Sequence, residues 1–174
     1  MEDSSTRRIY LSGKKGEGLF ALVDEQDYEY LNGFRWYWNH GYAGRNLSIG
    51  ELPEHNSVMK QKKVLMHGII LPCEAPLQVD HINGDKLDNR RCNLRAVTPH
   101  QNGMNHGMNK NNTSGFKGVF FCKYVKSTPW QAHIGIRIDG RPKRLHLGCF
   151  ATAEEASAAY QAAALELYGE YRRQ

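Results

Sequence analysis

The sequence predicts an α+β protein built from two small units, and three observations carry that prediction. Residues 79–102 have the pattern of a strand, a long polar loop, a second strand and the start of a helix. From Gly115 onward, three strand-like runs precede a single helix opened by Thr152-Ala153-Glu154-Glu155. Between the two lies Asn-His-Gly-Met-Asn-Lys-Asn-Asn-Thr-Ser-Gly at 105–115, rich in turn formers and poor in apolar side chains, which marks a boundary. A chain of 174 residues has room for one ordinary domain or two small ones with modest cores. The expected division is a β-rich extension at 1–63, a hairpin-and-helix core at 64–106, a linker at 107–114 and a terminal unit at 115–174 in which a three-stranded antiparallel sheet packs on one helix.

The elements follow in order. Residues 9–11 and 18–23 are expected to be short strands joined by the Gly-Lys-Lys-Gly-Glu-Gly turn at 13–18. Asp24 can cap a short helix running to Leu31, with Asn32-Gly33 as its stop. Residues 34–38 and 41–45 form a hairpin turned at Asn39-His40-Gly41, with Phe34, Trp36 and Trp38 on one face. Such an aromatic row is either core or a base-stacking platform, and core is the commoner outcome. Residues 46–57 lack periodicity and are expected to be loop. The chain then turns basic and afterwards apolar through Ile70; Lys60, Lys62 and Lys63 either contact phosphates or form a solvated strand face, the latter being favoured.

Residues 79–102 carry the chemistry. Val79-Asp80-His81 ends an apolar approach, Asn83-Gly84 is a turn signal, and Leu94-Arg95-Ala96-Val97 returns as a second strand. Thr98-Pro99-His100-Gln101 then combines an N-cap threonine, proline at the first helical position and glutamine three residues after the cap. Asn102 projects from the first turn of that helix, so Asp80 and Asn102 can converge on one cation. A carboxylate and an amide carbonyl are hard oxygen ligands suited to magnesium or manganese, with water and phosphate oxygens completing the shell. His81 points away from Asp80 in an extended strand. With an unperturbed pKa near ~6.5 it can take a proton from water attacking phosphorus, while the cation polarises the phosphate. Asn93 is placed to hydrogen-bond the loop backbone or to fix the His81 ring, as a support for the geometry. His67, His100 and His106 belong to no comparable constellation, and surface or hydrogen-bonded roles are expected for them.

Taken in this order, with Asp-Asn-Arg-Arg-x-Asn-Leu-Arg at 88–95, residues 64–105 resemble the HNH nucleases of the ββα-metal fold, in particular the phage and intron-encoded homing endonucleases. The resemblance implies Asp80 and Asn102 as metal ligands, His81 as general base, Asn93 as the central motif asparagine, a divalent cation (Mg2+ or Mn2+) as cofactor and double-stranded DNA as substrate. The preceding chain, with residues 18–31, Trp36 and Tyr42-Ala43, is similar to the leading segment of such phage proteins. Gly68 departs from the pattern, which often has arginine there in Leu-x-His-Arg, and this puts a phosphate contact beside His67 in doubt.

In the terminal unit, 115–124, 129–138 and 143–147 are the expected strands. Trp130, Ala132, Ile134, Ile136 and Ile138 alternate with Gln131, His133, Gly135 and Arg137, so one sheet face is apolar and the other polar and basic. The helix from 153 to about 168 brings Ala156, Ala159, Tyr160, Ala163, Ala164 and Leu167 to the apolar face. The remaining face is left to meet a partner, and a small sheet of this kind can enter the DNA major groove. Gly-x-Lys-Gly-Val, Trp-x-Ala-x-Ile, Leu-Gly-x-Phe at 147–150 and Thr-x-Glu-Glu-Ala-x-x-Ala-Tyr at 152–160 resemble the ethylene-response-factor (Apetala-type) DNA-binding domain over 114–170. That resemblance places Lys117, Phe120, Cys122, His133, Arg137, Arg144 and His146 on the DNA face. The plant pattern has more arginine and tryptophan there, so its site preference does not transfer.

The bulk composition agrees with these readings. The net charge is +5, and it is uneven: 14 basic against 13 acidic residues up to Lys110, and 9 against 5 after it. Cys73, Cys92, Cys122 and Cys149 form no C-x-x-C pair, which argues for reduced thiols and against a structural zinc. No apolar stretch approaches a membrane span, and an intracellular protein of a bacterium or phage-infected host is expected. The reading that results is a metal-dependent DNA endonuclease, a monomer or weak dimer that nicks duplex DNA and carries a C-terminal recognition unit. The competing reading is a sequence-specific DNA-binding regulator whose nuclease unit no longer cuts.

Overall fold

The computed structural model describes residues 5–47 and 63–172. The loop expected at 46–57 lies mostly outside the described residues, and Lys60 and Lys62 lie outside them entirely. The fold is mixed α/β with small antiparallel sheets and few helices, and it divides into two units, 1–102 and 103–174.

In the first unit β1 (Thr6–Tyr10) pairs antiparallel with β2 (Phe20–Asp24), and Ile9, Ala21 and Val23 point inward. Helix α1 (Glu25–Asn32) follows, then β3 (Tyr37–Asn39), β4 (Tyr42–Asn46) and β5 (Lys63–Leu65) in a sheet of order β3-β4-β5. Helix α2 (Met66–Ile70) leads to the hairpin of β6 (Gln78–His81) and β7 (Leu94–Val97), after which α3 (Pro99–Met104) begins. One buried cluster joins β1, β2, α1, β4, α2 and β7: Ile9, Leu11, Ala21, Val23, Leu31, Trp36, Ala43, Met66, Ile70 and Leu94. The extension expected at 1–63 and the hairpin therefore share a single core.

Two local readings change. Residues 34–36 are not strand, because Trp36 turns fully into the core, where its indole Nε1 donates to the Leu31 carbonyl at 2.8 Å. Asp24 precedes α1, yet its side chain makes no cap hydrogen bond; its Oδ2 accepts from the Arg91 backbone N–H at 2.7 Å instead. At α3 the expected capping is present. The Thr98 backbone N–H and hydroxyl both donate to Gln101 Oε1 at 2.9 Å, and the Gln101 N–H donates back to the Thr98 hydroxyl at 3.3 Å.

In the second unit β8 (Val119–Phe121), β9 (Trp130–Ile138) and β10 (Arg141–Phe150) form an antiparallel sheet of order β10-β9-β8. The β9–β10 turn is Asp139-Gly140, both at positive φ, the geometry of a two-residue hairpin turn. β10 is longer than the sequence pattern suggested because a bulge between His146 and Gly148 resets its register and lets pairing continue to Phe150. β8 is shorter than expected. Asn112 takes up the chain ahead of it, its Oδ1 accepting from the Gly115 N–H and its amide donating to the Phe116 carbonyl. Gly118 stands at φ 75° with a Cβ position only 2.2 Å from Tyr160 Cδ2, so no other residue fits there. Helix α4 (Ala153–Tyr168) opens with the capping box of Thr152 and Glu155 and lays Ala156, Tyr160 and Ala164 against Val119, Ala132 and Ile134. Leu167, expected on that face, is 44% exposed.

Candidate active site

The β6–β7 hairpin sets Asp80 opposite Arg95 and His81 opposite Leu94. Asp80 is buried, and its Oδ2 accepts from Arg95 Nε at 3.0 Å and Nη2 at 2.8 Å. Both contacts land on one carboxylate oxygen, Oδ2. Asn102, on the first turns of α3, donates from Nδ2 to Gln78 Oε1 at 3.1 Å. Gln78 and Asp80 are two apart on β6 and therefore share a strand face, which sets the Asn102 amide over the face that carries Asp80. Its carbonyl oxygen is the atom that bond leaves unused.

His81 is 4% exposed and lies in a group of rings. The His67 ring centroid is 5.1 Å away at a steep angle, Tyr42 is 5.9 Å away, and Tyr42 and His67 are 5.2 Å from each other. A cleft of about 460 Å³ opens beside them, lined by Tyr42, His67, Gly68, Gln78, Val79 and Asn102 among others. Burial, and then the charge of His81, push His67 down to about 4. Burial also lowers His81, outweighing the opposing effects of the Asn89 hydrogen bond and of Asp80, Asp85 and Asp88. Both rings are therefore neutral near pH 7. Lys86 Nζ sits 4.4 Å from the Tyr42 ring centroid and brings a cation to the same neighbourhood.

The loop between β6 and β7 is held by side chains. Asn93 Oδ1 accepts from the Asn83 N–H at 2.9 Å and its amide donates to the Asp88 carbonyl at 2.8 Å, so it ties the two limbs of the loop together. Asp88 is 2% exposed; Arg90 reaches it with two hydrogen bonds of 2.8 and 2.7 Å, and Asn83 adds a third. Burial alone would raise the Asp88 carboxyl, but Arg90 and Asn83 outweigh it and hold it below its ordinary value. Arg91 grips Asp27 through two 2.8 Å hydrogen bonds and so anchors the loop to α1.

Asp80, His81, Asn93 and Asn102 thus belong to one local framework, with Asn93 bound to loop backbone and not to the His81 ring. The neighbour of that ring is Asn89, whose Oδ1 is 3.4 Å from Nε2. His67 was expected at the surface or in an ordinary hydrogen bond, yet it packs on His81; only the proximity of α2 to β6, invisible in local pattern, could have shown this. In the second unit the register puts Phe120, His133, Arg137, Arg144 and His146 on the sheet face opposite Ala132 and Ile134. His133 and His146 are 4.8 Å apart by ring centroid, and the Arg144 guanidinium lies 5.3 Å over Phe120. Burial, followed by His146 and Arg144, lowers His133. Lys117 lies before β8 and donates to the Met104 carbonyl at 3.0 Å, while the Cys122 N–H, just past the strand, donates to Pro129.

Residues 65–104, which hold the strand, the side-chain-braced loop, the second strand and the capped helix around Asp-His and Asn, match the model of the HNH endonuclease family. The match spans 40 of the 174 residues and holds β6, β7 and α3. Over 160 residues it is 27% identical to an uncharacterised HNH endonuclease of Acanthamoeba polyphaga mimivirus, covering 90% of this chain and 75% of that one. It is also 36% identical over 92 residues to an ethylene-responsive transcription factor of Arabidopsis thaliana, covering 52% of this chain and 54% of that protein. No solved structure matches it. Among the described residues no helix is long and apolar enough to cross a membrane.

Proposed function

We propose that this protein is a divalent-cation-dependent endonuclease that hydrolyses a phosphodiester bond of duplex DNA, with His81 as general base and Asp80 and Asn102 as cation ligands. The observation that carries the reading is the neutral, desolvated imidazole of His81 next in sequence to the buried carboxylate of Asp80, beside a cleft walled by Asn102. Among the described residues no three His, Cys, Asp or Glu side chains are grouped to hold a metal. The donor set is thus one carboxylate and one amide carbonyl, both hard oxygens. That set fits magnesium or manganese, which are commonly held by one or two protein oxygens and share the rest of their shell with water and phosphate. When bound, such an ion supplies charge stabilisation at the phosphate and at the departing oxygen.

The chain's own residues do the remaining work. His81 accepts the proton of the attacking water, and its lowered affinity for protons keeps it in the accepting form at neutral pH. Arg95 holds Asp80 through Oδ2 and so sets where Oδ1 points. Asn93 keeps the loop closed over the hairpin. The second unit grips the duplex through the face of Phe120, His133, Arg137, Arg144 and His146, with Lys117 and Cys122 at its margin, and the likeness to the plant transcription factor supports that assignment. One active site per chain makes nicking the simple outcome.

Supercoiled plasmid incubated with wild type and His81→Ala, in magnesium, manganese or chelator at matched DNA occupancy, tests the reading. Open circles that require both His81 and the cation support it. The Arg95–Asp80 pair also favours a second reading, a DNA-binding regulator with an inert nuclease unit, because the carboxylate already has a cationic partner. Tight binding without cutting on a substrate containing the preferred site would establish that reading instead.

A further inference from the structure

We propose that Asn89 is a positioning residue that decides which nitrogen of His81 acts as the base, and that through Asn89 the N-terminal hairpin holds that base in place. The inference rests on the nuclease reading of His81 and adds a residue to it. Asn89 is 1% exposed, and its backbone N–H and both ends of its side-chain amide have defined neighbours. Its backbone N–H donates to the Leu22 carbonyl of β2 at 2.8 Å, and the Leu22 N–H donates to the Leu87 carbonyl at 2.8 Å, so the loop is stitched to the hairpin on both sides. Its amide donates from Nδ2 to the Leu87 carbonyl at 3.1 Å.

The chemistry of these groups fixes the rest. A carbonyl oxygen only accepts, so the NH₂ end of the amide must face Leu87, and Oδ1 must face His81. Oδ1 also only accepts, so His81 Nε2, 3.4 Å away, must be the nitrogen that carries hydrogen. In the neutral ring the lone pair then lies on Nδ1, and Nδ1 is the atom that takes the proton from water. At 3.4 Å the bond is long and contributes little binding energy; its effect is on tautomer and ring orientation. The amide is itself immobilised by Leu22 and Leu87, so the hairpin of β1 and β2, far from the motif in sequence, sets the orientation of the base.

The test is a long-range 1H–15N correlation spectrum of the full-length protein labelled at histidine nitrogens, without DNA or metal, at about pH 8 where the imidazole is neutral. His81 is assigned by its disappearance in His81→Ala. The expected spectrum has a protonated Nε2 and an unprotonated Nδ1. Asn89→Asp, which retains an acceptor, should keep that tautomer. Asn89→Leu, of similar volume and with no acceptor, should lose it and reduce nicking about tenfold or more with DNA affinity unchanged. A wild-type His81 protonated at Nδ1, or a leucine variant with an unaltered tautomer, overturns the proposal. Should the leucine variant fail to fold, the wild-type and aspartate spectra still decide. Because the tautomer is read without DNA, a wild-type protein that does not cut removes the nuclease reading separately from this assignment.

Discussion

Replacing His67 by glutamine should flatten the loss of stability of the first unit in acid. Burial holds His67 at about 4 in the folded chain against 6.5 for a solvated imidazole. Between these values the unfolded chain binds the extra proton, so stability rises with pH through the window, is fully present above 6.5 and drains away as pH falls towards 4. Each pH unit inside the window is worth about 1.4 kcal/mol. Acidification to pH 5 should therefore remove about 2 kcal/mol, or about 1.5 kcal/mol after allowance for the partial exposure of the ring. His67→Gln lacks this contribution, and the charge repulsion from His81 goes with it. Urea titrations at a series of pH values check the difference, followed by the fluorescence of Trp36 and Trp38, both in the first unit, in a Trp130→Phe background that silences the second. Parallel pH dependences for wild type and His67→Gln would refute the placement of His67 as a desolvated, neutral ring.

Arg95→Leu removes the guanidinium that pairs with Asp80, whose side chain is 7% exposed, and should cost about 3 kcal/mol. Asp80→Asn on top should recover part of the loss in thermal melts. Gly118→Ala meets both a positive φ and the Tyr160 ring, and about 3 kcal/mol or more of the second unit's stability should disappear in denaturant titration. Arg144→Ala should weaken DNA binding and lower the slope of log affinity against log salt by about 0.9, without changing metal affinity; an unchanged slope removes Arg144 from the phosphate contacts.

Much of this architecture was readable because it is local. The capping boxes at Thr98–Gln101 and Thr152–Glu155 join groups three residues apart, and the alternation along β9 needs no distant partner. What escaped is long-range. Asp24 looked like a helix cap because Asp before a helix often is one, but its carboxylate is used 67 residues away on Arg91. His67 carries no signal in its own neighbourhood, since only folding brings α2 against β6. Asn89 lay in plain view inside Asp-Asn-Arg-Arg, yet its role depends on Leu22 of a different hairpin. The length of β10 was underestimated because a bulge restores pairing where strict alternation breaks.

The shared core of the first unit bears on how such a domain can be moved between genes. Seven of its ten buried apolar side chains, from Ile9 to Ala43, come before the first residue of the segment that carries the family pattern. A recombination event that transferred only residues 65–104 would deliver Asp80, His81, Asn93 and Asn102 without most of the apolar surface that orders them, and such a fragment should be too poor in core to fold. The heritable unit is therefore longer than the motif by which it is recognised, and viable fusions are expected to join near position 102, not at position 64.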